Sequence, residues 1–183
     1  MPEMNSLHAL FEKELRDLYD AEKQIVKALP KIIKSTTNDE LNELLSVHLE
    51  ETKGHVDRLE GVFESLNLKP RGKHCAGMAG LIEEGSDLVS EDGAEAVLDA
   101  GIISAAQRVE HYEITAYGTL MAWAKLMGHK EALALLKQNE QEEKAADVKL
   151  SKLAESVINR DALAAGETEE EEDLVGAGSN RTR

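Results

Sequence analysis

The chain has 183 residues, room for one domain with a real core and no need of disulfide or metal staples. Its 21 Lys plus Arg against 36 Asp plus Glu leave a net charge of −15, which excludes nucleic-acid binding through clustered cations and disfavours an anionic membrane surface. A single Cys excludes an internal disulfide and a cysteine-based zinc site and points to a reducing, cytoplasmic setting; no apolar run is long enough to span a membrane, the polar start is no signal peptide, and 3% aromatics with 3 Pro argue against an all-β chain.

The first periodic segment runs from Leu7 to Lys34, with Phe11, Leu15, Leu18, Ile25, Leu29 and Ile32 at helical spacing. Asn5 or Ser6 can cap it, and Pro30 predicts a kink or a loose last turn. The second helix covers Asp39–Leu66 along Leu41, Leu45, Leu59, Val62 and Leu66, and Leu68-Lys-Pro-Arg-Gly72 stops it. An irregular connector follows, with a short helix expected over Ala79–Ser90. The third helix runs from Ala94 to Met127 and ends at Gly128; the fourth runs from Lys130 to Asn159. The tail from Asp161 holds seven acids against Arg181 and Arg183, so 1–160 reads as the folded unit and 161–183 as an acidic, disordered tail, with Asp173-Leu-Val-Gly as a possible docking peptide.

Short, long, short connections make two antiparallel hairpins joined by a link of roughly 26 residues that can run the length of the bundle. The fold expected is therefore all-α: a ferritin-like antiparallel four-helix bundle with a short crossover helix between helices two and three.

Polar residues interrupt each apolar stripe near mid-helix. The stripes read Leu18, Glu22, Ile25; Leu45, His48, then Glu51 or Thr52, then His55, Leu59; Ala106, Glu110, Glu113, Tyr117; and Leu136, Asn139, Glu143, Asp147, Leu150. Glu22 and Glu51 lie about equally far from the first turn, and Glu113 and Glu143 about equally far from the second, so antiparallel packing brings them to one level. Buried carboxylates must be neutralised, and no Lys or Arg falls on the stripes. Two divalent cations, held by carboxylate oxygens and imidazole, would do it. A solvated polar seam is the bland alternative; four helices interrupted at matching height favour the metal.

The hairpins also look like copies: His48-Leu-Glu-Glu51-x-x-x-His55-Val aligns with Glu140-Gln-Glu-Glu143-x-x-x-Asp147-Val, and Asp17-Leu-Tyr19-Asp20 with Glu110-His-Tyr112-Glu113. The Glu-x-x-His pair of di-iron bundles is missing from both halves. The segments Asp17-Leu-Tyr-Asp-Ala-Glu22-Lys-Gln, His48-Leu-Glu-Glu51-Thr, Ala106-Gln-Arg-Val-Glu110-His-Tyr-Glu113-Ile, Glu142-Glu143-Lys-Ala-Ala-Asp147 and Cys75-Ala-Gly-Met78-Ala-Gly-Leu81-Ile-Glu-Glu84 resemble the YciF-like branch of the ferritin-like superfamily over about Leu7–Ala154. The resemblance implies a four-helix bundle with a crossover helix, a homodimer, a dimetal centre and induction under bacterial stress.

Together these readings nominate Glu22, Glu51, Glu110, Glu113 and Glu143 as carboxylate ligands of two iron or manganese ions. His48 is the favoured imidazole, His55 a looser one, and Asp147 its counterpart in the other half. The chemistry expected is oxidation of the metal pair by O2 or peroxide, against a non-catalytic metal-holding or structural role. Tyr19, Tyr112 and Tyr117 fall near the site, His111 points away from it, and the crossover helix is expected at the dimer interface.

Overall fold

The structure, a computed structural model, describes residues 4–166. Among them lie five α-helices and no strand: α1 Leu7–Ser35, α2 Asp39–Ser65, α3 Ala76–Leu88, α4 Glu95–Met127 and α5 Lys130–Leu153. A single π-helical turn, Ala154–Ile158, follows α5, and the chain stays helical through 159–166. The first six residues of the expected tail thus extend the last helix; the acid-rich stretch 167–183 lies outside the described residues.

The helix ends follow local chemistry. Ser6 caps α1 by accepting from the Ala9 N–H at 3.1 Å, and Asn38 caps α2 by accepting from the Leu41 N–H at 3.0 Å. Asp39 and Glu40 in the first turn of α2 complement its dipole. Pro30 does not end α1; it lies on the exposed side, and the helix continues to Ser35. Gly128 adopts φ 78° and closes α4 while the His129 N–H reaches back to the Ala124 carbonyl at 2.9 Å. The short helix α3 begins three residues earlier than its apolar pattern suggests. Its cap is Cys75, whose sulfur accepts from the Met78 N–H at 3.4 Å, and a cysteine gives no cap signal in sequence.

In the square of long helices α1 neighbours α2 and α4, and α5 neighbours α2 and α4, leaving α1/α5 and α2/α4 as diagonals. Neighbours are antiparallel. The end of α1 meets the start of α4, where Asp99 accepts from the Thr37 N–H (3.1 Å), the Thr37 hydroxyl (2.8 Å) and the Asn38 N–H (2.8 Å). The start of α1 meets the end of α4, where the Phe11 ring lies 5.9 Å from that of His129. Across α2 and α5, Glu51 at the middle of α2 pairs with Lys149 near the end of α5, and Gly61 near the end of α2 packs on Leu135 near the start of α5. The crossover helix α3 lies over α1 and α4. A Cβ on Gly101 would stand 2.7 Å from a Leu88 methyl, so only glycine lets α4 receive that side chain. Leu81, Ile82, Leu88 and Val89 are half-buried against the bundle.

Two apolar layers fill the ends of the bundle. Leu41, Leu45, Ile102 and Leu150 form one; Phe11, Leu15, Leu59, Val62, Leu120 and Leu136 form the other. Between them sits a polar layer that is just as buried.

Candidate metal centre

Every long helix sends polar side chains into the middle layer. From α1 comes Glu22, from α2 His48, Thr52 and His55, from α4 Glu110 and Glu113, and from α5 Asn139 and Glu143; none is more than 3% exposed. His48 and His55 stand two turns apart on one face of α2, with Thr52 between them. Thr52 satisfies itself by donating to the His48 carbonyl at 2.8 Å, a local bond open to any helical Thr.

The ligand atoms fall into two groups that share one residue. Glu22, His55 and Glu143 form the first and His48, Glu110 and Glu143 the second; in each, one oxygen or nitrogen per residue lies within 4.8 Å of the others. His55 Nδ1 stands 2.7 Å from Glu143 Oε1 and 3.5 Å from Glu22 Oε1. His48 Nε2 stands 3.2 Å from Glu110 Oε1 and 3.7 Å from Glu143 Oε2. Glu143 thus presents one oxygen to each side. Glu113 is fully buried beside Glu143, Glu22 and Glu110.

Most of these atoms have no hydrogen-bond partner: Glu22 Oε2, Glu110 Oε2, both oxygens of Glu113 and Glu143, both nitrogens of His48, and His55 Nδ1. Buried polar atoms are paired as a rule, so an aligned set of orphaned donors and acceptors is a group that could hold a metal ion. Four buried carboxylates carry the charge needed to balance two divalent cations with both imidazoles neutral.

Electrostatics agree with the geometry. Burial drives the Glu110 and Glu113 carboxyls well above their usual range, and the neighbouring carboxylates push further in the same direction. Burial likewise raises Glu143, against the pull of His55. For His55 burial alone would lower the pKa, but the contacts with Glu143 and Glu22 outweigh it and hold the ring up to about 11. His48 is also raised, Glu51 and Glu110 overcoming its burial. Without metal the cluster therefore holds on to protons, which do the job that cations would do.

A supporting ring fixes these ligands. Tyr117 donates its hydroxyl proton to Glu22 Oε1 and accepts from Asn139 Nδ2 at 2.8 Å. Asn139 also donates to the His55 carbonyl at 3.3 Å, and Arg58 donates to the Asn139 amide oxygen and to Glu142. Glu142 Oε2 lies 2.9 Å from His55 Nε2, so the outward nitrogen faces a carboxylate while Nδ1 faces inward. Glu51 stands behind His48 in the same way, 3.5 Å from Nδ1.

Six of the eight nominated residues meet in the buried layer: Glu22, His48, His55, Glu110, Glu113 and Glu143. The other two sit at its rim. Glu51 belongs to neither group and reaches Lys149 at 3.8 Å; the buried place on that turn goes to Thr52. Asp147 accepts from Gln107 at 2.8 Å and lies 3.4 Å from exposed His111, because the stripe of α5 passes from Glu143 through Ala146 to Leu150. His55 is as buried as His48 and as close to the carboxylates, not looser. Of the three tyrosines only Tyr117 touches a ligand. Tyr19 donates to Glu60 at 2.6 Å, and Tyr112 stands between Cys75 (3.0 Å) and Asp17 (3.2 Å). Burial raises the Cys75 thiol, so it is no activated nucleophile. Of the supporting residues, Asn139 was read as a polar interruption of the α5 stripe and Glu142 only as part of a family-like segment, while Arg58, three positions after His55 on α2, was not singled out.

A four-helix bundle of ferritin-like layout with a histidine–carboxylate layer supplied by all four long helices is the class that fold and site define. The chain belongs to the family described as a domain of unknown function, DUF892, whose model matches residues 6–163. It is 43% identical over 160 residues to Protein YciF of Escherichia coli (strain K12), spanning 87% of this chain and 96% of that protein. The crystal structure of the E. coli stress protein YciF superposes with a TM-score of 0.82 over 85% of this chain and 99% of that one, at 43% identity. YcfI of Rhodopseudomonas palustris, described as a candidate structural protein, gives a TM-score of 0.80 at 46% identity over 82% of this chain and 96% of its own. The chain is thus a YciF-like protein with groups able to hold metal. Among the described residues no helix is long and apolar enough to cross a membrane.

Proposed function

We propose that the middle layer binds two metal ions, iron or manganese, and that the protein reacts through them with O2 or peroxide as a stress-associated oxidoreductase. The observation that supports this most is the set of orphaned ligand atoms in two groups joined through Glu143. Glu22, His55 and Glu143 would hold one ion and His48, Glu110 and Glu143 the other, with Glu113 adding oxygen donors from α4. When bound, a pair of divalent ions supplies two electrons, enough to reduce peroxide to water or dioxygen to peroxide.

The residues around the ligands do the rest. Glu142 and Glu51 keep the outward imidazole nitrogens protonated, which presents the inward ones as lone pairs. Tyr117 keeps its proton, since burial and the adjacent Glu22 hold its pKa well above the usual range, and it fixes the Glu22 carboxylate as a donor. The leucine layers on either side exclude water. The homodimer implied by the family resemblance is part of this reading; a monomer by sedimentation at micromolar concentration would remove it.

The test is metal analysis together with peroxide and dioxygen consumption, on the wild type beside Glu143→Leu. Bound metal and turnover in the wild type, both lost in the variant, support the proposal. A wild type that binds metal but stays inert leaves a metal-holding protein without turnover, compatible with the structural role named for the R. palustris relative. A wild type that binds no iron and no manganese ends it.

A further inference from the structure

Beneath the crossover helix lies a cavity of about 60 Å³, walled by α1, α3 and α4 through Leu29, Ile82, Ile102 and their neighbours. Its inner end is closed by His48 and Glu110, the ligand pair of the second group. Those two are the only polar side chains on its walls. A buried water needs two to four polar partners, and a cavity lined by aliphatic side chains stays dry. Here His48 Nε2 and Glu110, whose Oε1 stands 3.2 Å from it, are the polar partners at the inner end, and the aliphatic remainder of the cavity offers none.

Size narrows the guest. An engineered apolar cavity of about 150 Å³ in another protein takes benzene. This chamber, partly open beside α3, is less than half that, and it has room for a diatomic gas rather than for an enclosed aromatic ring. Polarity narrows it further. Peroxide would have to leave its hydrogen bonds to water and find none along aliphatic walls, a loss of a few kcal/mol per unpaired polar group. Dioxygen has none to lose.

We propose that this chamber is a dioxygen-holding site that feeds the gas from beneath α3 to the His48–Glu110 side of the centre, so that O2 rather than peroxide is the oxidant the fold selects. The choice of oxidant rests on the metal-centre reading; the gas site itself does not. Leu81 and Ile82 of α3 then have a role as the chamber's outer wall, and α3 acts as its roof.

Xenon is the probe, because its binding is read without metal or turnover. Diffraction from crystals under xenon pressure, or xenon NMR in solution, should show one xenon beside His48 and Glu110. Filling the chamber with Ala105→Leu should abolish it, and Ala28→Leu, from the α1 wall, serves if the first variant fails to fold. No xenon in the chamber, or xenon undisturbed by a folded filling variant, overturns the proposal. With metal loaded, the filling variant should slow dioxygen-driven metal oxidation several-fold and leave the peroxide-driven reaction at the wild-type rate; equal slowing of both, or of neither, overturns the selection of O2. Xenon bound in a protein that takes up no metal would sink the metal centre and leave the gas site standing, while metal uptake without xenon would do the reverse.

Discussion

The protein buries carboxylates in two places and treats them in opposite ways. At the α1–α2 turn Asp99 is 1% exposed, and its oxygens accept from two backbone N–H groups and a hydroxyl. In the middle layer Glu113 is 0% exposed and neither of its oxygens is paired, and Glu143, equally buried, has only imidazole nitrogens beside it, His55 Nδ1 at 2.7 Å and His48 Nε2 at 3.7 Å. Burial alone therefore marks nothing. The protein supplies donors where a carboxylate has a structural task, as at Asp99, where it ties α4 to the end of the other hairpin. Where it withholds them, the carboxylates left unpaired stand with imidazoles in groups that could hold a metal ion.

The largest expected effect breaks that difference at its centre. Glu143 serves both groups, so Glu143→Leu should remove both ions at once, each worth about 2.7 kcal/mol when metal is present at a hundred times its dissociation constant. In chelator Glu113→Leu should melt no lower than the wild type, because both Glu113 oxygens are buried without a partner and an apolar side chain of similar volume relieves them, whereas Glu143→Leu should melt lower, because it strips the buried His55 ring of its nearest carboxylate. Melting curves with and without metal read both outcomes. A Glu113→Leu variant that is strongly destabilised in chelator would mean that Glu113 has a structural task like that of Asp99.

The second effect is on pH. In the metal-free protein the Glu110, Glu113 and Glu143 carboxyls and both imidazoles have folded-state pKa values above their unfolded ones, 4.5 for the acids and 6.5 for histidine. Groups raised on folding contribute fully below the unfolded value, and the contribution is lost as pH rises through the folded one. The acids thus lose their contribution from about pH 4.5 upward, and His55 loses its own from about pH 6.5 to about pH 11. Metal-free protein should melt lower at about pH 9 than at about pH 5. Metal binding competes with protons, so metal retention should run the other way and weaken as pH falls. Parallel slopes with and without metal would show that the cluster is not the binding site.

Asp99→Ala should cost about 1–3 kcal/mol by leaving the Thr37 and Asn38 donors unpaired. The loss should be the same with metal and without, because this end of the bundle lies outside both ligand groups. A loss that depends on metal would join the two regions that the structure keeps apart.

How much of this was legible in the sequence differs by level. The four long helices and the polar interruptions could be read because helical period and caps are local: Ser6, Asn38 and Gly128 act where they stand. The height match between helices needed only equal distances from a short turn; it set Glu22 level with Glu51 and Glu113 level with Glu143, and of these Glu22, Glu113 and Glu143 meet in the buried layer. What failed was rotation about the helix axis. Glu51 and Thr52 differ by one position, as do Ala146 and Asp147, and a stripe read at three-or-four spacing admits either. Packing decides, and it buries the smaller side chain in both cases. Asp99 went unnoticed because its donors come from a turn 61 and 62 residues away in sequence. The start of α3 was missed because Cys75 caps it. The chamber beneath α3 had no signal at all, since its walls come from four helices whose lining residues lie far apart in sequence.

The smallest effects separate the rim from the centre. Glu51 lies 3.5 Å from His48 Nδ1, and its own pKa is lowered chiefly by that contact. Removing a carboxylate that orients a metal-binding imidazole costs typically about 10–100-fold in affinity. Glu51→Ala should therefore weaken one site by about that factor and leave the first group, built on His55, close to the wild type. Asp147 makes no such contact. It binds Gln107 and faces His111 on the outside of α5, with Ala146 filling the buried place beside it. Asp147→Asn keeps the size of the side chain and its acceptor for Gln107, so metal content should stay at the wild-type level and stability should move by less than about 0.5 kcal/mol. Isothermal titration of the two variants with the same metal reads the contrast directly. Loss of metal in Asp147→Asn as large as in Glu143→Leu would mean that α5 turns on loading to bring Asp147 inward, and that the layer described here is the metal-free arrangement of a site that rebuilds itself around its ions.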